Sequence, residues 1–185
     1  MILFVNACVR SNSRTKKIAD SLLAKLGDSI EEVCLENVKF PSTDQAFLDK
    51  RDKCIAEHDF SDSYFDLAKQ FARADTIVIA APLWDLSFPA VLKKYIEHIN
   101  VLGITFEYTP EGMPIGKCAA KKLYYVMTAG GAYVPEEFGF GYIKALAQNF
   151  YGIGDVELIK ATGLDIWGND PDKIVQECIR QMMEA

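Results

Sequence analysis

Short apolar runs alternate along this chain with segments whose hydrophobic residues recur every three or four positions. Ile2 to Val5 and Thr76 to Ala81 are continuous apolar stretches, the pattern of strands buried on both faces of a parallel sheet. Leu123 to Thr128 and Val156 to Ala161 read as two more, and Ile30 to Leu35, which mixes in charge, reads as a strand nearer an edge. Between them lie amphipathic helical patterns: Ile18, Leu22, Leu23, Leu26; then Val91, Leu92, Tyr95, Ile96, Ile99; then Ile143, Leu146, Ala147, Phe150; and finally Ile174, Val175, Cys178, Ile179, Met182.

Five strands alternating with helices predict an α/β chain, doubly wound, with a five-stranded parallel sheet, right-handed crossovers and helices on both faces. The expected strand order is the flavodoxin-like 2-1-3-4-5. No repeat, low-complexity tract or linker interrupts the pattern, so residues 1–185 read as one domain. Two segments exceed the minimal plan. Glu36 to Phe60 is a long connector with its own helical stretch, followed by a further helix from about Ser63 to Arg73; connectors of this length often serve as lids or interface elements. Ile104 to Lys117 reads as a hairpin, alternating around Phe106 and Tyr108 and turning at Pro110-Glu111-Gly112.

Composition then removes several functional classes. Half of the 185 residues are hydrophobic, enough for a sizeable core without staples. The formal net charge of -6 argues against a nucleic-acid or anionic-membrane binder, so Lys16 and Lys17 read as solvated helix residues. Five scattered cysteines form no CxxC pair, which leaves no zinc or iron-sulfur ligand spacing and points to a reducing, cytoplasmic compartment. The N-terminus lacks a signal-peptide core and no apolar run approaches the length of a membrane span.

In such a sheet, ligands bind beyond the carboxyl ends of the strands where strand order reverses, here between the first and third strands. That rule selects three loops. In the first, Ala7 to Thr15, a helix beginning near Thr15 offers unpaired N–H groups and a positive dipole end; Ser13 and Thr15 add hydroxyls, and Arg10 and Arg14 add charge. GxGxxG and GxxxxGK[ST] loops are both absent, so the loop suits one phosphomonoester, as in FMN, unless Ser13 is only a helix cap. In the second, Pro82 to Pro89, the residues Leu83, Trp84 and Leu86 form a candidate wall for a flat aromatic ring, although Trp84 could equally be core packing. In the third, Ala129 to Pro135, Gly130 and Gly131 let backbone approach a planar ligand without a Cβ in the way.

The run PLWDLSFPAVLKKYIEHI, followed by GITFEYT, then EG, GK and TAGG, resembles the FMN-dependent NADH-azoreductase family, related to NAD(P)H:quinone oxidoreductases and flavodoxins. The resemblance spans most of the chain and is most specific from Pro82 to Gly131. It implies FMN held by Ser13, Arg14 and Thr15 at the phosphate, bordered by Leu83, Trp84, Asp85 and Leu86, and completed by Thr128, Ala129, Gly130 and Gly131. It also implies hydride transfer from NAD(P)H via FMN to a quinone, azo compound or similar flat acceptor in a ping-pong cycle, with no catalytic side chain and no metal. A homodimer is implied too, in which Phe106 or Tyr108 of one subunit would reach the acceptor pocket of its neighbour. Three departures stand out: a short phosphate loop, Asp85 where Asn is frequent, and Ala129 where Arg can occur. Asp85 would oppose charge gained on flavin reduction, cap the next helix, or face solvent. His58 and His98 read as solvated or packed.

Rival readings fare worse. A receiver domain needs an acidic cluster after the first strand, where this chain has NACVR. A GDS-type hydrolase is hinted at by Gly27, Asp28 and Ser29, but these follow a helix, and no histidine lies beyond His98 to complete a triad. The serious alternative is a non-enzymatic, flavodoxin-like electron carrier or FMN-binding protein.

Overall fold

The structure is a computed structural model and describes residues 1–184. Five parallel strands, β1 (Ile2–Asn6), β2 (Ile30–Cys34), β3 (Thr76–Ala80), β6 (Lys122–Thr128) and β7 (Asp155–Ala161), form one sheet in the order β2-β1-β3-β6-β7. Two short strands, β4 (Phe106–Tyr108) and β5 (Pro114–Gly116), pair antiparallel as a separate hairpin. With the hairpin set aside, the sheet has the expected 2-1-3-4-5 order. Helices α1 (Arg14–Leu26) and α6 (Pro171–Glu184) lie on one face; α3 (Asp66–Arg73), α4 (Ala90–Ile99) and α5 (Phe140–Leu146) cover the other. Helix α2 (Gln45–Ala56) occupies the long connector after β2.

Every residue of β1 is buried, and the alternation of a strand divides them between two cores. Leu3 and Val5 join Ile77, Ile79, Leu92 and Tyr95 on one face, whereas Ile2 and Phe4 join Val78, Ile18, Leu22 and Val175 on the other. This is why β1 reads as an unbroken apolar run. At the sheet edge, β2 buries only Val33 fully, which is where the charges of IEEVC are tolerated.

Helix α1 starts at an N-cap, Ser13, whose side chain accepts from the Lys16 N–H, and stops at Gly27, whose φ of 68° is the left-handed conformation in which glycine is favoured. Two helical expectations are refined. The segment Ser63 to Phe65 is a single 3-10 turn, so α3 proper begins at Asp66. The pattern through Phe150 is α5 followed by a wide π turn over Ala147–Tyr151, closed by Gly152 at φ 75°. That turn sends Tyr151 into the core, where its hydroxyl donates to Asn100 Oδ1 at 2.6 Å, and sets Phe150 against the Phe106 ring, centroids 5.1 Å apart. Gly116 of the hairpin meets the turn backbone so closely that a Cβ would overlap Tyr151 and Gly152. Phe106 is therefore buried within the chain, whereas Tyr108 is half exposed. His98 is packed, its Nδ1 2.7 Å from the Lys94 carbonyl, and His58 is exposed at the end of α2.

The chain leaves β1 toward β2 on one side and places β3 on the other. The crevice this reversal opens lies above Asn6 and Ala80, which are paired in register.

Candidate functional site

The end of β1 builds the first wall. Asn6 is buried; its Nδ2 donates to Glu32 Oε1 and its Oδ1 accepts from the Cys8 N–H, both at 2.9 Å. One side chain thus turns the chain out of the strand and fixes the loop that leads to α1. Burial pushes the Cys8 thiol up from its ordinary value, so it stays protonated at neutral pH and offers no thiolate nucleophile.

At the head of α1, the Arg14 and Thr15 N–H groups meet no protein acceptor among the described residues, as expected of the first turn of a helix. Ser13 caps the helix with its oxygen and still has a hydroxyl proton to donate. Thr15 is buried, and its Oγ1 lies 2.7 Å from Thr128 Oγ1 at the end of β6. Whichever of the two donates, the other's proton is left for a ligand. There is no acid in the first turn; Arg10 and Arg14 surround this positive helix end instead. The arrangement can hold an anion about the size of one phosphate.

The second wall follows β3. The Leu83 N–H donates to the Thr128 carbonyl at 2.9 Å, and Trp84 and Ser87 exchange two backbone hydrogen bonds at 2.9 and 2.8 Å. They close a two-residue turn whose central residues are both left-handed: Asp85 at φ 50° and Leu86 at φ 67°. Such primed turns normally use Asn-Gly, so Asp-Leu holds strain here. Ser87 Oγ donates to the Phe138 carbonyl at 2.6 Å and ties the turn to the segment before α5. The Asp85 side chain caps nothing: α4 has Pro89 at its N-cap and no side-chain cap.

These walls enclose a cavity of about 370 Å³. Of the residues expected at the site, it is lined by Arg10, Ser13, Arg14, Thr15, Pro82, Leu83, Trp84, Thr128 and Gly130. Asp85, Leu86, Ala129 and Gly131 do not line it: the first two are exposed on the turn, and the buried Ala129 and the exposed Gly131 instead accept from the next loop. Trp84 is 38% exposed, so it is not core packing.

The sequence reading missed Cys8, Val9, Asn12, Leu164 and Asp165, which also line the cavity. The last two come from the loop after β7, whose Gly163, Leu164 and Asp165 N–H groups donate in succession to the carbonyls of Gly131, Ala129 and Gly130. The turn-rich string TGLDIWGND was the available signal, but it follows an edge strand away from the switch point. Among the described residues, no cluster of His, Cys, Asp and Glu could hold a metal ion, and no helix is long and apolar enough to cross a membrane.

A family model described as the flavodoxin-like fold matches residues 1–185. An FMN-dependent NADH:quinone oxidoreductase of Clostridium perfringens is 37% identical over 97% of this chain and 94% of its own length. A protein of the same name from Clostridium beijerinckii is 36% identical over 97% of this chain and 93% of its own. Among solved structures, an FMN-dependent NADH-azoreductase from Bacillus anthracis, in complex with FMN, superposes with a TM-score of 0.81 at 25% identity, covering 99% of this chain and 95% of that one.

Proposed function

The chain belongs to the flavodoxin-like family, and we propose that within it the protein is an FMN-dependent NADH:quinone oxidoreductase, able to reduce quinones, azo compounds or similar flat acceptors. One observation carries the reading: a cavity at the β1/β3 switch point lined by the head of α1, with its free N–H groups, by hydroxyls and arginines, and by Trp84 and Gly130. The residues fit FMN. Ser13, Arg14 and Thr15 would hold its phosphate, Arg10 would add charge, and Pro82, Leu83, Trp84, Thr128 and Gly130 would border its ring, with Asp85, Leu86, Ala129 and Gly131 shaping the loops behind them.

Bound FMN supplies the hydride chemistry that links NADH oxidation to acceptor reduction. The chain's own part is to bind and orient. Buried Thr15 and Thr128 tie the phosphate loop to β6, and the Leu83 N–H on the Thr128 carbonyl ties the ring wall to the same strand end. The two contact sets are therefore anchored on one residue, Thr128. Kinship with named NADH:quinone oxidoreductases over nearly the whole chain favours the enzyme over the electron-carrier alternative. NADH is the favoured donor for the same reason.

Residues 1–185 would act as a single domain, and five free cysteines suit a cytoplasmic setting. A homodimer is the assembly we favour: Tyr108, Met113 and Ile115 leave the hairpin about half or more exposed, at 51%, 63% and 46%. The test is direct. Purified protein should carry or take up FMN, lose its visible flavin absorbance under NADH without oxygen, and regain it on addition of a quinone. Protein that gains no flavin spectrum with FMN present would defeat the reading.

A further inference from the structure

Among the described residues Asp165 is the one carboxylate lining the cavity, an odd occupant for a site built around a positive helix end. Its Oδ1 accepts from Arg14 Nη1 at 2.9 Å, and its side chain lies so close to Gly130 that a Cβ there would run into the carboxylate. Its main chain is pinned as well, through the Asp165 N–H on the Gly130 carbonyl at 2.9 Å. The loop itself is braced by Asn169 Nδ2, which donates to the Gly163 carbonyl at 2.7 Å. A carboxylate held in this way bridges the phosphate loop and the ring loop.

Its electrostatics follow from the neighbours. Arg14 sits at the first position of α1, where the helix dipole disfavours a cation. In the free protein, Asp165 offsets that charge. A phosphate arriving at the Arg14 and Thr15 N–H groups would seek the same guanidinium, because arginine binds phosphate and carboxylate through the same planar fork. Resting on the FMN reading above, we propose that Asp165 is a positioning residue that masks Arg14 in the cofactor-free protein and competes with the FMN phosphate for it. Asp165 thereby sets how strongly the site prefers FMN over riboflavin, which lacks the phosphate.

The experiment titrates FMN and riboflavin into cofactor-free wild type, Asp165→Asn, Arg14→Gln and the double variant, following flavin fluorescence at low and high salt. Because the pair is exposed, Asp165→Asn should tighten FMN about three- to fivefold and leave riboflavin unchanged within about twofold. The gain should shrink as salt rises. It should vanish when Arg14 is already Gln, since nothing is then left to unmask. FMN binding that is unchanged or weaker in Asp165→Asn, an equal gain for riboflavin, or a gain that survives loss of Arg14 would each overturn the inference while leaving the FMN reading intact. A wild type that binds no FMN would overturn both.

Discussion

The two ends of the cavity are built on opposite principles. At the phosphate end, Asn6, Thr15 and Thr128 are buried, and their polar atoms are hydrogen-bonded within the protein. On the Pro82–Pro89 loop, Trp84, which lines the cavity, and Leu86, which lies beside it, are 38% and 48% exposed, and their turn holds consecutive non-glycine residues in the left-handed region. A buried hydrogen-bonded floor costs little further ordering when a ligand arrives, so it is suited to supplying affinity. An exposed apolar rim on a strained turn gains burial only when something covers it, so it is suited to choosing partners and acceptors.

The sharpest way to break this contrast is at the floor. Replacing Ser13 and Thr15 together by Ala removes two hydroxyl contacts to a charged group, each contributing about 1.5–3 kcal/mol. FMN affinity should fall more than about a hundredfold, with riboflavin nearly unaffected. Fluorescence titration of both ligands checks this, and equal losses would mean that the loop has collapsed. Thr15 deserves a separate melt, because truncating it leaves Thr128 Oγ1 buried without a partner, which costs about 1–3 kcal/mol of stability by itself.

The rim should respond differently. Trp84→Ala should weaken FMN and riboflavin alike, by about fivefold, since an aromatic face contributes roughly 0.5–1.5 kcal/mol beyond burial and does not touch the phosphate. A loss confined to FMN would erase the division between the ends. A somewhat smaller change, of opposite sign, is expected at Leu86, where φ is 67°. Leu86→Gly should stabilise the cofactor-free protein by up to about 1 kcal/mol by relieving left-handed strain. Thermal unfolding reads it directly; an unchanged or lowered midpoint would show that the turn is not strained.

Much of the floor could be read from the sequence, and little of the rim. Strands buried on both faces announce themselves as apolar runs, and strand order then places Ser13, Arg14 and Thr15 at the switch point. The Trp84–Ser87 turn escaped because its second central residue is Leu, where a primed turn normally has Gly. Asp165 and Leu164 escaped because the loop carrying them docks through backbone N–H groups on the carbonyls of Gly130 and Ala129, and backbone pairing has no side-chain signature. Phe106 and Tyr108 share one side of a strand, yet only the first meets Phe150, whose position depends on a π turn that helical periodicity does not reveal.

The smallest expected effect, and the finest test of the rim, is at Asp85. The residue is exposed, does not line the cavity, and caps no helix, so neither its removal nor its neutralisation should disturb the floor. What remains is its charge, carried on the same turn as Trp84. A carboxylate there opposes the gain of negative charge that accompanies reduction at the ring, but water and salt screen it from an exposed position. Asp85→Asn should therefore raise the midpoint potential of the bound flavin by no more than about 20 mV, with 30 mV corresponding to about 1.4 kcal/mol for a two-electron couple. Asn also tolerates the left-handed region better than most residues, so a slight stability gain should accompany the shift. FMN affinity should stay within about twofold, because Asp85 does not line the cavity. Spectroelectrochemical titration of both proteins at neutral pH decides the matter: a lowered midpoint rejects electrostatic tuning from the turn, whereas a rise well above this bound would mean that Asp85 is less screened than its exposure implies and that the rim closes over the ring.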